Sequence, residues 1–247
     1  MTAFLASTRD LAEAKIALAA GANWIDMKEP RTGALGAVAP AEVARVVQWL
    51  RDVERNVPVS ATIGDCWDEP ACMPARVAAL AETAVPYVKI GIYAAQASRE
   101  LRHAIAACCA CGPRIILVCF AEAPPDANAI AAWAATGIHG MMLDTADKHG
   151  GSLRAIRTRT ELADFVDNVQ TRGLLCGLAG SLTVEDITPL LPLGADYLGF
   201  RGALCDAGGR SGVVSASAVT TIRMCIDSAH AAIANDLTME GRTRGMA

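Results

Sequence analysis

The stretch Trp24-Ile25-Asp26-Met27-Lys28-Glu29-Pro30 carries an apolar run out to a lysine and ends at a proline, the pattern of a buried strand that delivers an amine to its carboxyl end. Helical patterns flank it on both sides. Upstream, Leu11, Ala14, Ile16 and Leu18 continue to an Ala20-Gly21 stop, with Thr8 placed to cap them. Downstream, a loop with Gly33 and Gly36 leads to Pro40, which opens a helix through Val43, Val46, Val47 and Leu50. The same order of helix stop, turn and strand returns at Gly194-Ala195-Asp196-Tyr197-Leu198-Gly199, with a weaker copy at Gly137-Ile138-His139-Gly140-Met141.

Strand-like runs at 3–6, 58–63, 87–92, 115–120, 141–143, 174–178 and 197–200 complete the set, and a helical pattern follows each. Eight alternating units, apolar enough to be buried on both faces, predict a parallel (β/α)8 barrel, the TIM barrel, as a single domain over residues 1–234. The last helix is expected over 215–234, and the polar residues 235–247 are expected to form a flexible tail. A doubly wound open sheet is the rival architecture, but no Gly-x-Gly-x-x-Gly follows the first strand.

Composition narrows the function classes. Of 247 residues, 53% are hydrophobic and 19% charged, with a net charge of -4 and no basic stripe with interleaved aromatics, which argues against nucleic acid as a partner. No run approaches the ~20 apolar residues of a membrane span, so a soluble cytoplasmic protein is expected. Nine cysteines, an odd number in a chain long enough to build its own core, fit a reducing compartment. Cys108, Cys109 and Cys111 cluster in an alanine-rich helical pattern without a nearby histidine and read as buried thiols instead of metal ligands. Alanine-rich outer helices such as the one over 127–135 suggest packing against a second copy, a homo-oligomer.

Positive charge is supplied by 18 arginines and four lysines: Lys15, Lys28, Lys89 and Lys148. Three of the lysines follow apolar strand-like runs. A lone strand-end lysine is ordinarily a salt-bridge partner, but three in one barrel point to chemistry that arginine cannot perform, since a guanidinium neither sheds its proton nor forms an imine. Strand carboxyl ends share one mouth in this fold, so Asp26, Lys28, Asp65, Lys89, Asp144 and Lys148 are expected to converge there. Asp26 and Lys28, two apart on a strand, share a side. Two lysines facing each other in a low-dielectric mouth depress each other's ammonium, leaving one able to attack a carbonyl and the other able to move protons. His103, His139 and His230 fall away from the mouth, which leaves His149 near it.

Gly180 and Ser181 after the seventh strand, with Arg201 and Gly202 after the eighth, occupy the loops that commonly hold a phosphate in such barrels. Gly208 and Gly209 before Arg210 extend the cradle. The plainer alternative is that these glycines are helix-entry turns.

Together, Ile25-Asp26-Met27-Lys28-Glu29-Pro30, Ser60-Ala61-Thr62-Ile63-Gly64-Asp65, Tyr87-Val88-Lys89-Ile90-Gly91, Asp144-Thr145-Ala146-Asp147-Lys148, Leu178-Ala179-Gly180-Ser181 and Gly199-Phe200-Arg201-Gly202 resemble the (5-formylfuran-3-yl)methyl phosphate synthase family over nearly the whole barrel. The resemblance implies condensation of two glyceraldehyde 3-phosphate molecules into one phosphorylated furan aldehyde, the furan precursor of methanofuran. One phosphate and two waters are released, with no metal or organic cofactor. It also implies Lys28 as the Schiff-base former and Lys89 as the proton acceptor, with Asp26, Asp144 and Lys148 lining the site. Departures from the family pattern are Arg31 and a short, proline-bearing loop at 120–128. The other readings are a different Schiff-base aldolase of sugar phosphates and a non-catalytic barrel that binds a phosphorylated metabolite.

Overall fold

The structure, a computed structural model, describes residues 2–66, 68–92, 98–147, 150–206 and 209–244. In chain order the elements are β1 (Ala3–Thr8), α1 (Leu11–Ala19), β2 (Trp24–Met27), α2 (Pro40–Asp52), β3 (Val59–Thr62), α3 (Met73–Ala81), β4 (Tyr87–Ile92), α4 (Arg99–Cys109) and β5 (Arg114–Phe120). They continue with α5 (Ala127–Ala134), β6 (Gly140–Asp144), α6 (Leu153–Ile156), α7 (Arg159–Gln170), β7 (Leu175–Leu178), α8 (Val184–Leu190), β8 (Tyr197–Phe200) and α9 (Ala216–Arg244). The strands pair in parallel in sequence order, and β8 closes on β1.

Alternation along each strand divides its side chains between two cores. Phe4, Ala6, Ile25, Met27, Val88 and Ile90 point outward and pack under the helices. Leu5, Trp24, Ile116, Val118, Met142 and Tyr197 point inward and fill the barrel. Both sets are apolar, which is why the strands read as continuous hydrophobic runs. The lower interior is an aromatic plug: Trp24 stacks between Tyr87 and Tyr197 at centroid distances of 4.9 and 5.0 Å. Gly177 gives the Tyr197 ring its room, since a Cβ there would stand 2.2 Å from the ring.

Above the plug, the loop after β2 folds back over the barrel. Its Leu35 fills the space over Gly91, where a Cβ would come within 2.1 Å of the leucine tip, and Thr62 Oγ1 donates to the Gly36 carbonyl at 2.8 Å. Leu35 therefore covers the β3 and β4 side of the mouth. The remaining opening lies toward β7, β8 and β1.

Two boundaries differ from expectation. Thr8 belongs to β1, where it pairs with Met27, and the cap of α1 is Asp10, whose carboxylate accepts from the Glu13 N–H at 2.9 Å. The last helix does not stop at residue 234. It runs to Arg244, since no proline interrupts the sequence there, so residues 235–244 extend α9 and 245–247 lie outside the described residues. Among the described residues no helix is long and apolar enough to cross a membrane.

Candidate active site

Asp26, Lys28, Lys89 and Asp144 come together in the barrel mouth. Asp26 and Lys89 share inward parity with Trp24 and Tyr87, and Asp144 shares it with Met142, so each polar group stands above the plug on its own strand. All four line one cavity of about 590 Å³, within the size range of small-molecule sites.

The pairs differ in depth. Lys89 Nζ lies 2.9 Å from Asp26 Oδ1, with side chains 2% and 4% exposed. Ser60 Oγ donates to the same Asp26 oxygen at 2.5 Å and receives the Trp24 indole N–H at 3.2 Å. The other face of the Lys89 ammonium meets the Tyr197 ring, 5.3 Å from its centroid. Burial pulls Lys89 below the ordinary lysine value; the charge and hydrogen bond of Asp26 pull it back in part, and the neighbouring Lys28 adds to the depression. Tyr197 is buried so deeply that its phenol is held well above its ordinary value, and it donates to Met142 Sδ at 3.2 Å.

Lys28 stands nearer the opening. Its Nζ is 3.8 Å from Asp144 Oδ2, too long for a hydrogen bond but close enough for charge pairing, and its side chain is 11% exposed. Asp144 is fixed by the Thr145 N–H, which donates to Oδ1 at 2.8 Å. Among the described residues Lys28 thus presents an amine to the cavity without a short bond to break, whereas Lys89 is locked beneath it.

Gly180, Ser181 and Gly202 line the same cavity. Gly180 has a φ of +109°, and a Cβ there would meet the Thr145 backbone nitrogen at 2.9 Å; Ser181 adopts the left-handed region at φ 48°. The loop after β7 therefore holds strained backbone against the cavity wall.

Arg201 departs from its expected task as a phosphate cation. It borders the cavity, but its N–H groups are committed: Nε to the Arg210 carbonyl at 2.8 Å, Nη1 to Ser7 O at 3.1 Å and Glu13 Oε2 at 2.5 Å, and Nη2 to Gly212 O at 2.8 Å and Glu13 Oε1 at 3.3 Å. These bonds use all the donors a guanidinium has. Arg201 is a clamp that ties the loop after β8 to β1 and α1. The half-buried Arg210, whose Nη2 reaches the Gly33 carbonyl at 2.9 Å, lines the cavity from that loop. Burial pulls Arg210 below the ordinary arginine value, and Asp144 opposes that shift.

Glu13 is the counter-charge of the clamp. Burial pushes its carboxyl up, but hydrogen bonds from Arg201 and Arg9 outweigh that and hold it below its ordinary 4.5. Glu13→Ala strands a buried guanidinium and should cost roughly 3–5 kcal/mol in urea unfolding. Because the folded value is depressed, Glu13 contributes stability that is present above about pH 4.5 and is lost as pH falls through the lower folded value. Glu13→Gln should therefore flatten the loss of stability between pH 5 and pH 3, in urea titrations at about those values.

Asp65 does not join the cavity lining. It faces Gly33, where a Cβ would stand 2.7 Å from its Oδ2, and burial raises its carboxyl. Lys148 and His149 lie outside the described residues. Burial pushes the Cys108 thiol up to about 12 and Cys109 to about 11, which makes both poor nucleophiles. Among the described residues no cluster of three or more His, Cys, Asp or Glu side chains is placed to hold a metal ion.

The chain is similar along most of its length to known proteins. A family model described as 4-HFC-P synthase matches residues 4–223. A Methylorubrum extorquens protein, provisionally named a (5-formylfuran-3-yl)methyl phosphate synthase, is 41% identical over 207 residues, 83% of this chain and 84% of that protein. The (5-formylfuran-3-yl)methyl phosphate synthase of Methanocaldococcus jannaschii is 34% identical over 221 residues, 84% and 92% of the two chains. Among solved structures, phosphoribosyl anthranilate isomerase from Thermus thermophilus superposes with a TM-score of 0.67 at 19% identity, over 92% of this chain and 99% of that one, a likeness of fold. With a family model over most of the barrel and relatives above 30% identity, the chain belongs to the 4-HFC-P synthase family of enzymes.

Proposed function

We propose that the enzyme condenses two molecules of glyceraldehyde 3-phosphate into (5-formylfuran-3-yl)methyl phosphate through an imine on Lys28, supplying the furan of methanofuran. The observation that carries this reading is the stacked pair of lysines: one amine at the cavity without a short hydrogen bond among the described residues, above a second, buried one held by Asp26. Membership of a family whose relatives bear that product's name supports the substrate and product assignment. The atoms balance: two three-carbon phosphates less one phosphoric acid and two waters leave a six-carbon monophosphate.

In this reading Lys28 attacks an aldehyde carbon, and loss of water from the carbinolamine gives an iminium that acidifies the neighbouring C–H bond. Lys89 takes that proton, its basicity tempered by burial and by Asp26. Asp144 faces the Lys28 nitrogen and balances the iminium charge. Phosphate is held by the backbone at Gly180, Ser181 and Gly202, with Arg210 in the cationic role expected of Arg201. Lys148 stays in the set on the resemblance and on its place in the sequence after β6.

Incubating the purified protein with glyceraldehyde 3-phosphate should yield an ultraviolet-absorbing aldehyde and free inorganic phosphate. An aldol product without a furan chromophore would make the protein a different Schiff-base aldolase. Binding that raises Tm without phosphate release would make it a non-catalytic barrel.

A further inference from the structure

Ser7 sits on β1 directly beside Asp26 of β2 and lines the cavity. Its residue is 2% exposed, and its carbonyl accepts from the Arg201 clamp. Its hydroxyl differs from other polar groups of the mouth. Asp26, Ser60, Asp144 and Arg201 all have partners, whereas Ser7 Oγ is buried without a hydrogen-bond partner among the described residues. A buried hydroxyl with no partner costs free energy in the unliganded protein and is retained where something else supplies the partner.

Position says what that partner is. Ser7 lies level with Asp26, the next pair along is Thr8 with Met27, and the Lys28 N–H donates to the Thr8 carbonyl at 2.9 Å, so the Lys28 side chain leaves the sheet two residues above Ser7 and on the same face. On the β8 side Gly199, level with Leu5 and two residues below Ser7, adds no side chain to the cavity. The loops proposed to hold phosphate follow β7 and β8 and begin at the level of Ser7, where Arg201 donates to its carbonyl. Ser7 itself stands beside Asp26 and below Lys28, in the part of the cavity that the carbon chain of a molecule held at Lys28 would enter.

We propose that Ser7 is a specificity-determining residue whose hydroxyl hydrogen-bonds the substrate hydroxyl on the carbon next to the imine carbon, so that the site selects 2-hydroxyaldehyde phosphates. This rests on the imine reading of Lys28. A site built to pair a substrate hydroxyl rejects the analogue that lacks it, because its own polar group is then left unpaired.

The experiment compares borohydride trapping of glyceraldehyde 3-phosphate and of 3-oxopropyl phosphate, the same chain without the hydroxyl, in the wild type and in Ser7→Ala. The wild type should prefer glyceraldehyde 3-phosphate. Ser7→Ala should lose about 10- to 100-fold in trapping efficiency with it, change little with the deoxy analogue, and leave the Tm of the free protein unchanged or raised. A preference that survives in Ser7→Ala overturns the contact, as does a wild type that traps both aldehydes equally or a variant whose Tm falls while its selectivity holds. In those cases the imine reading stands. If the wild type traps neither aldehyde and forms no furan, the imine reading fails and the Ser7 contact fails with it.

Discussion

Lys28→Arg is expected to abolish covalent trapping by borohydride and to lower furan formation on the order of 10⁴-fold or more, because arginine cannot take over the part of the nucleophile in a covalent route. The change keeps a cation opposite Asp144, at a position where the wild-type contact is a charge pairing of 3.8 Å, so the electrostatics of the mouth are largely preserved. What disappears is the capacity to form an imine, since a guanidinium stays protonated in water. Peptide mapping of the reduced wild-type protein should place the adduct on Lys28. An adduct on Lys89 or Lys148 with Lys28 untouched would remove Lys28 from the role of nucleophile.

The lysine and aspartate constellation was legible before any coordinates because two periodicities determine it. Period-two alternation puts Asp26 beside Lys28, and the parallel barrel brings the carboxyl ends of β2, β4 and β6 to one mouth. The clamp was not legible. Glu13 looks like an ordinary acidic residue in the first turn of α1, and its partner Arg201 lies 188 residues away. From sequence a guanidinium after β8 reads as a phosphate ligand, and only the set of carbonyls around it shows that its donors are spent. Ser60 could have been found, since it has the same inward parity on β3 as Asp26 on β2. Leu35 could not, because nothing local says that the loop after β2 turns back over Gly91.

Lys89 and Asp26 should separate proton transfer from imine formation. In Lys89→Arg, trapping at Lys28 should persist while furan formation falls by roughly 10² to 10⁴, the usual worth of a positioned general base. Asp26→Asn tests the same base through its partner. The asparagine oxygen can still accept from Ser60, so the hydrogen bond at 2.5 Å has a replacement, but the negative charge beside Lys89 is gone. Burial already pulls Lys89 below its ordinary 10.5, and Asp26 is the strongest influence pulling it back. Without that charge Lys89 falls further, so the limb of the pH–rate profile that reports its deprotonation should move to lower pH. Were Asp26 itself the base, the limb would vanish instead. Stability gives an independent reading with a fixed sign. The unfolded chain binds a proton at lysine more tightly than the folded Asp26→Asn protein does, so the variant should gain stability as pH rises from its lowered Lys89 value toward 10.5. Below that lowered value the buried ammonium is unpaired, and unfolding in urea should show a deficit of roughly 3–5 kcal/mol against the wild type. A variant equally destabilised at every pH would mean that Lys89 is not the group Asp26 charges.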